Sequence, residues 1–171
     1  MTVTGQDLIR KIVVGVDGSV QAGQALAWAI RLARSSGAEI VAVLVIPAPG
    51  YYEFGAGYGV PVVPVELDPE WRSEMRREFE QKWCAPLTAS GLDHRTLVRD
   101  GRPAAVISAV ADEEQADLVV VGRRGRGGMA EMLLGSVSHE LSHRCKHPVL
   151  LVSRQPVAAT RLLTVVGSTS A

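Results

Sequence analysis

Short apolar runs alternate along this chain with longer segments in which apolar residues recur at helical spacing. Runs rich in Val and Ile are typical of strands buried on both faces of a parallel sheet. The predicted strands cover residues 11–17, 39–46, 94–100, 117–122 and 148–153, of which 94–100 is the weakest. Because strands alternate with helices, the pattern predicts right-handed crossovers and an α/β fold with helices on both faces of the sheet.

Capping residues add to the spacing in predicting the first two helices. Ser19 suits the N-cap of a helix that ends at Gly37, and Asp68 and Pro69 suit the N-cap and first position of a second helix. Large apolar residues of this second helix recur every fourth position and are predicted to pack in the core: Trp71, Met75, Phe79 and Trp83.

Two more helices follow from periodicity. One is expected over residues 102–114, with Ala105, Val106, Ala109 and Val110 facing inward, and another over about 129–146. The stretch 47–67 is rich in Pro, Gly and aromatic residues and predicts a long loop, whose aromatic part either closes over a ligand or stays a surface loop. Residues 1–153 are predicted to form a single domain, followed by 154–171 as a tail or edge extension.

Composition narrows the functional classes. Eighteen Lys and Arg balance eighteen Asp and Glu, so no global field favours nucleic acid or an anionic membrane. The only cysteines, Cys84 and Cys145, have no CxxC spacing and are expected to be small core residues of a reduced compartment. With no long apolar run, the sequence predicts a soluble, cytoplasmic protein that binds neither nucleic acid nor membrane.

The segment that follows the fourth predicted strand carries the candidate chemistry. In doubly wound sheets, ligands bind at the carboxyl ends of strands. Gly122 and Gly125 are expected to allow positive φ and a close backbone approach to an anion, and Arg123, Arg124 and Arg126 add charge that neutralises phosphates. The segment has no Walker motif and no lysine, so it predicts a phosphate site of another kind.

A second pair of small residues lies thirteen positions after Gly122. Gly135 and Ser136 fall inside the predicted helix 129–146, so a phosphate could approach their amides only if the helix begins there. The spacing of Gly122, Gly125, Gly135 and Ser136 matches the G-2x-G-9x-G-[ST] pattern of the ATP-binding branch of the universal stress protein family. VVGVDGS near the start and HPVLLV near the end are similar to that family's first and last strands, so the resemblance spans about residues 10–153.

The resemblance implies an open, doubly wound, Rossmann-like sheet of five parallel strands in the order 3-2-1-4-5, related to the adenine nucleotide alpha hydrolases. It implies ATP with Mg²⁺ or Mn²⁺ as cofactors and a homodimer formed through the last strand. Asp17 would lie on the nucleoside side or help hold a phosphate-bound metal, and the backbone of Val45 would face adenine. The other residues that the resemblance places at ribose and phosphates are Gly122, Arg123, Arg124, Gly125, Arg126, Gly135, Ser136, Val137 and Ser138. Arg-Arg in the first spacer departs from the family's usual small polar residue followed by His or Arg.

Two other motifs compete with this interpretation. RRGRGG resembles an RNA-binding RGG segment, but it occurs once and between a strand and a helix. HELSH, from His139 to His143, satisfies the H-E-x-x-H pattern of zinc proteases. His139, His143 and His147 are offset by about 200° from the apolar stripe of Val137 and Leu141, so these histidines are expected to point away from the core. Adventitious metal binding is then more plausible than catalysis.

Three functions stay open on the sequence. The preferred one is a regulatory or stress-response switch in which ATP changes a surface that an unidentified protein partner reads. A slow ATPase or self-phosphorylating enzyme, with Asp17 positioning metal and water, is the second. A cyclic AMP binder on the same fold is the third, since Arg123 and Arg124 also suit a single phosphate.

Overall fold

The computed structural model describes residues 9–46, 69–125 and 134–153. The described elements, in chain order, are β1 (Lys11–Gly15), α1 (Val20–Ser36), β2 (Glu39–Ile46), α2 (Pro69–Glu78), a π-helical turn (Phe79–Trp83), α3 (Ala85–Thr88), β3 (His94–Asp100), α4 (Pro103–Glu114), β4 (Leu118–Gly122), α5 (Ser136–Arg144) and β5 (Val149–Val152). Asp68, the aromatic loop and the segment 154–171 lie outside the described residues, so the predictions made for them stay predictions.

All the described strands pair in parallel in one sheet, in the order β3-β2-β1-β4-β5. The predicted α/β class and strand order are therefore confirmed. The order reverses beside β1, whose neighbours are β2 on one side and β4 on the other. Chains leaving β1 and β4 turn to opposite faces of the sheet and open a crevice at their carboxyl ends.

Successive side chains of each strand point to opposite faces of the sheet and pack into two separate cores. Ile12 and Val14 of β1 pack beneath α1 and the segment that contains Phe79, whereas Val13 packs against α4 and α5. Val13 and its two neighbours are fully buried, because helices cover both faces of the sheet. Cys84 lies in the first core, and burial raises the pKa of its thiol to about 12, which fits its predicted role as a small core residue.

The inward face predicted for α4 is confirmed at Val110 and in part at Val106, which packs against the second core, but it was wrong at two alanines. Ala105 and Ala109 are exposed, and the buried residues of this helix are Ala104, Ile107, Val110 and Ala111. The repetitive small residues of this helix allow several apolar stripes, and the branched side chain of Ile107 settles which one packs against the sheet. Gly15 is its neighbour there: a Cβ at Gly15 would lie 3.0 Å from Ile107 Cδ1.

The aromatic stripe predicted for the core is buried at only part of its length. Phe79 is fully buried and Met75 and Trp83 pack partly against the core, but Trp71 is 40% exposed. The chain widens into a π-helical turn from Phe79 to Trp83, so the every-fourth-residue spacing does not continue on one regular helical face. Within the described helices, none is long and apolar enough to cross a membrane.

A network of charges ties the amino ends of the strands together. Lys11 Nζ lies 3.3 Å from Glu39 and 3.1 Å from Glu114, and Arg95 pairs with both carboxylates. Asp117 Oδ2 accepts hydrogen bonds from the backbone N–H groups of Arg10, at 2.7 Å, and of Lys11, at 2.9 Å. The start of β1 is thus joined to β2, β3 and the connection between α4 and β4.

Candidate functional site

The turn between β1 and α1 fixes Asp17 at the carboxyl edge of the sheet. Gly18 has a φ of 78°, in the left-handed region that favours glycine. Asp17 Oδ1 accepts a hydrogen bond from Ser19 N at 2.9 Å, and Ser19 Oγ accepts one from Ala22 N at 3.1 Å. The predicted N-cap is confirmed, and the same turn positions the carboxylate.

The chain leaving β4 passes directly over the first turn of α1. A Cβ at Gly122 would lie 2.9 Å from the backbone carbon of Gln21 and 3.0 Å from Arg124 O. The positive φ that glycine would permit at 122 and 125 is not used, because neither residue adopts it. Glycine is needed at position 122 because a side chain there would meet backbone atoms, which no side-chain rotation can move away.

Gln21 holds in place the β4 segment, defined as residues 123–125 that follow β4. Its Oε1 accepts a hydrogen bond from Arg124 N at 2.7 Å, and Arg123 N donates to Val152 O of β5 at 2.8 Å. The segment is therefore bonded to α1 on one side and to β5 on the other. Sequence reasoning missed Gln21, because an amide side chain in the first turn of a helix carries no signal of a contact 103 residues away.

Asp17 and Gly125 meet across the crevice. A Cβ at Gly125 would lie only 2.6 Å from Asp17 Oδ2, so the carboxylate sits directly against the glycine backbone. Asp17 follows β1 and Gly125 follows β4, two neighbouring strands. The structure thus brings together two predicted site residues that are 108 positions apart in the sequence.

The start of α5 packs against the same β4 segment. A helix was predicted over about 129–146. Within the described residues 134–146, Leu134 and Gly135 are not helical, and α5 begins only at Ser136. Gly135 N donates to Arg123 O at 2.9 Å, and a Cβ at Gly135 would lie 3.3 Å from Arg124 Cα. The condition for anion approach, a helix that begins at Gly135 and Ser136, is therefore met.

Ser138 fastens α5 to the β4 segment from within. It is 2% exposed, and its hydroxyl lies 2.7 Å from Arg123 O and 2.9 Å from Gly135 O, within donating distance of both. Val137 is half-buried and packs against the second core. Both residues hold the start of α5 from inside, while Ser136 is exposed.

Hydrogen-bond donors collect around this junction. The N–H groups in the first turn of a helix have no carbonyl partner within it, and Gly135, as the N-cap of α5, has no side chain to accept from them. The Nε atoms of Arg123 and Arg124 are also buried, with no hydrogen-bond partner among the residues that the structure describes. Because a buried donor left unpaired is costly, this concentration of donors favours an anion.

The backbone of Val45 faces the same crevice. Glu39 N donates to Arg10 O, and Val16 N donates to Val43 O at 2.9 Å, so odd-numbered residues of β2 direct their polar groups towards β1. Val45 is the next odd residue, and it lies beyond the end of β1 at Gly15. Its N–H and C=O therefore point past the end of that strand. Arg126, the remaining predicted site residue, lies outside the described residues.

The histidines of the HELSH motif lie on the outer face of α5, as predicted. His139 and His143 are exposed, and Leu141 is buried in the second core. His147 Nε2 lies 2.9 Å from Asp112 Oδ1, a pairing that lowers the pKa of the Asp112 carboxyl. In the described part of the chain, no group of three or more His, Cys, Asp or Glu side chains converges as a metal site.

A shallow cavity of about 370 Å³ lies elsewhere, along α2. Its lining residues are Pro69, Glu70, Ser73, Glu74 and Arg77. Arg77 already pairs with Glu74 there, and both side chains are more than half exposed. This open surface offers less to a ligand than the junction of β1, β4 and α5, where donors are buried.

Comparison with known proteins agrees with the fold and with the family that the sequence resembles. The model of the universal stress protein family matches residues 8–153. Universal stress protein YxiE of Bacillus subtilis is 32% identical over 148 residues, which cover 85% of this chain and 99% of that protein.

Solved structures show the same likeness. The structure of the hypothetical protein MJ0577, solved to assign its biochemical function, aligns with a TM-score of 0.71 and 25% identity over 87% of this chain and 99% of that one. A universal stress protein crystallised in complex with cAMP aligns with a TM-score of 0.59 and 28% identity, over 86% and 98% of the two chains.

Proposed function

Since this chain belongs to the universal stress protein family, we propose that it binds an adenine nucleotide, with ATP preferred, and acts as a nucleotide-dependent switch. The observation that carries the proposal is the uncapped start of α5, held against the β4 segment by the bond from Gly135 N to Arg123 O. Asp17 and Gly125 meet at the neighbouring edge of the same crevice.

Phosphate suits the donors at this junction. Backbone N–H groups at a helix start, together with the positive end of its dipole, bind anions in many nucleotide sites. Arg123 and Arg124 follow β4 directly in the chain, and their guanidinium groups add charge for more than one phosphate. The lack of Cβ atoms at Gly122, Gly125 and Gly135 lets the elements that carry these donors pack closely against one another.

Adenine is expected at the other end of the crevice. The N–H and C=O of Val45 can offer one donor and one acceptor in the plane of the sheet, the complement of the edge of an adenine ring. Because Asp17 lies between β2 and the β4 segment in sheet order, it would sit near the nucleoside portion or a phosphate-bound metal.

The residues present fit Mg²⁺ held mainly by the nucleotide. Mg²⁺ is commonly bound by one or two carboxylates together with substrate phosphates and water. Asp17 supplies one carboxylate whose Oδ1 is oriented by Ser19 N and whose Oδ2 faces Gly125. The metal would neutralise phosphate charge, and the protein's part would be to orient that single carboxylate.

Cyclic AMP is a second candidate ligand, favoured by the 28%-identical universal stress protein whose structure was solved with it. The two ligands place different demands on the junction. A triphosphate needs the start of α5 as well as the arginines, whereas a single cyclic phosphate needs fewer donors.

Calorimetric titration with ATP, ADP and cAMP in the presence of Mg²⁺ tests the proposal. In Gly125→Ala, the new Cβ would lie 2.6 Å from Asp17 Oδ2, so we expect loss of ATP binding. Gly23→Ala is the matched control, because Gly23 lies in α1 with nothing within 4 Å of its Cβ position. ATP binding that survives in Gly125→Ala, or no binding of any adenine nucleotide by the wild type, would refute the site. Binding of cAMP alone would keep the site and change the ligand.

A switch requires that nucleotide binding change a surface of the protein outside the binding site. Glu140 of α5 lies 3.5 Å from Arg102, the residue that precedes α4, so a shift of α5 would be transmitted to the outside of the second core. Hydrogen exchange with and without ATP should show increased protection in α5 and a change at the start of α4. Protection confined to the crevice would mean binding without a switch.

We also propose a homodimer through β5, the edge strand of the described sheet. Arg123 N donates to Val152 O, so even-numbered residues of β5 face β4 and Leu151 directs its N–H outward. An unpaired strand edge can pair with a second copy. Light scattering should give a dimer for the wild type and for Leu151→Ala, and a monomer for Leu151→Pro, which lacks the outward donor. A wild-type monomer would contradict the dimer.

A further inference from the structure

The exposed face of α5 carries a pair of histidines that none of the interactions described above uses. His139 and His143 are four residues apart, one turn of the helix, and both are exposed. Their ring centroids lie 4.7 Å apart with the planes inclined at 58°. We propose that His139 and His143 form a two-histidine chelating site for a late divalent transition metal such as Zn²⁺, Ni²⁺ or Cu²⁺.

The separation of the rings suits one shared ion. Zinc binds imidazole nitrogen at about 2.0–2.1 Å in tetrahedral geometry, so two imidazoles on the same ion have centroids on the order of 5 Å apart. The observed 4.7 Å is therefore close to the chelating arrangement. Small rotations of two exposed side chains suffice to complete it, since neither ring is buried.

The ligand type decides which metals the site accepts. Imidazole is a ligand of Zn²⁺, Ni²⁺ and Cu²⁺, whereas Mg²⁺ and Ca²⁺ require oxygen ligands. The Irving–Williams order then predicts tighter binding of Cu²⁺ than of Zn²⁺ or Ni²⁺. The site is thus distinct in chemistry from a Mg²⁺ ion held by nucleotide phosphates and Asp17.

Among the described residues, the surroundings of the pair supply no third ligand. Glu140 is engaged by Arg102 and Arg144, each at 3.5 Å, and is therefore committed elsewhere. His147 pairs with Asp112 on α4. The remaining coordination positions would be filled by water, which predicts open, exchangeable binding instead of a closed structural or catalytic zinc centre.

Metal at this site would also stabilise the helix. His139 N donates to Gly135 O at 2.9 Å, so the first ligand belongs to the turn that begins α5. A bridge from His139 to His143 fixes the next turn as well, because an ion bound only by the folded helix shifts the equilibrium towards the folded state. The metal site lies one turn from Gly135 and Ser136 but does not depend on their binding a nucleotide.

Titration of nucleotide-free protein with Zn²⁺ and separately with Ni²⁺, followed by calorimetry, tests the proposal. We expect one site in the wild type and a dissociation constant raised about tenfold or more in either His139→Ala or His143→Ala, because the second tethered ligand is lost. The melting temperature of the wild type should rise with Zn²⁺, and that of either variant should not. Both side chains are exposed, so both variants should fold.

A matched control keeps the number of histidines constant. In His143→Ala combined with Arg144→His, the two α5 histidines lie five residues apart and no longer share a face, so binding should stay at the weakened level of His143→Ala. The proposal is overturned if the wild type binds neither metal, if the single variants bind as the wild type does, or if the double variant recovers wild-type affinity.

Discussion

The two ends of the sheet are built on opposite principles. At the amino end, Lys11 and Arg95 alternate with Glu39 and Glu114, and every one of these charges has a partner. At the carboxyl end, Gly122 and Gly125 pack against Gln21 and Asp17, and the Nε atoms of Arg123 and Arg124 are buried without a partner among the described residues. The amino end satisfies its polar groups internally, whereas the carboxyl end leaves hydrogen-bond donors unpaired within the described residues.

This difference separates stability from function in the fold. A charge network among half-exposed side chains adds modest stability and does not depend on a ligand. Unpaired donors at a helix start cost stability unless something binds them. The contrast can be tested by substitutions at each end, because those at the carboxyl end should change nucleotide binding and those at the amino end should change only stability.

Gly122→Ala should have the largest effect. Its Cβ would meet the backbone of Gln21 at 2.9 Å and Arg124 O at 3.0 Å, neither of which can rotate away. We expect a loss of about 1–3 kcal/mol in the free energy of unfolding, typical of overpacking, together with loss of nucleotide binding. Urea denaturation measures the first and calorimetry the second. Stability equal to that of Gly23→Ala would contradict the tight packing.

Ser138→Ala should come next. It leaves Arg123 O and Gly135 O without the buried hydroxyl that bonds them, which should cost on the order of 1–2 kcal/mol. Nucleotide affinity should fall too, since both carbonyls belong to the junction. Ser142→Ala is the control, because Ser142 Oγ donates to His139 O on the exposed face of the same helix. An equal effect of the two variants would show that Ser138 does not fasten the junction.

Gln21→Ala should weaken nucleotide binding with a smaller cost in stability. It removes the acceptor for Arg124 N, a bond of 2.7 Å whose loss should destabilise the fold by about 1 kcal/mol. Arg124 and Gly125 would then be less well positioned before the ligand arrives. Titration with ATP and urea denaturation of the same variant measure the two effects. Unchanged affinity would mean that α1 does not position this segment.

Glu114→Gln should have the smallest effect, with a defined pH dependence. Arg95 and Lys11 hold the pKa of Glu114 below its ordinary value of 4.5, and Arg95 and Lys11 likewise lower that of Glu39. A depressed folded pKa gives stability that is present above pH 4.5 and is lost as pH falls below it. The variant should therefore be less stable by about 0.3–1 kcal/mol at pH 7, and this difference should shrink towards pH 3.

Urea denaturation at pH 7, 5 and 3 measures that dependence, with nucleotide affinity recorded at pH 7. ATP binding should be unchanged, because Glu114 ends α4 at the opposite end of the sheet from Asp17 and Gly125. A difference in stability that grows in acid would contradict the network, and a loss of affinity would contradict the separation of the two ends.

Much of the fold could be predicted from local pattern. The strand 39–46 has its predicted limits, and the strand 94–100 does too despite its charges, because runs of branched residues and nearby glycines mark where a strand can lie. The face of α4 could be predicted only in part, at Val110 and Val106, since a helix with Ala at 104, 105, 109 and 111 offers several nearly equivalent stripes. Which one is buried depends on Ile107 fitting over Gly15.

The sequence by itself determined the alternation of strands and helices, the cap at Ser19 and the glycine spacing that makes residues 122–138 a candidate site, because each depends on neighbours in the chain. Only the tertiary structure decided that Gly122 is required by the backbone of Gln21, that Asp17 meets Gly125 and that Ser138 joins α5 to β4. These contacts join residues 15 to 108 positions apart. Such distances close only when the sheet order places β1 beside β4 and packs α1 and α5 at their ends.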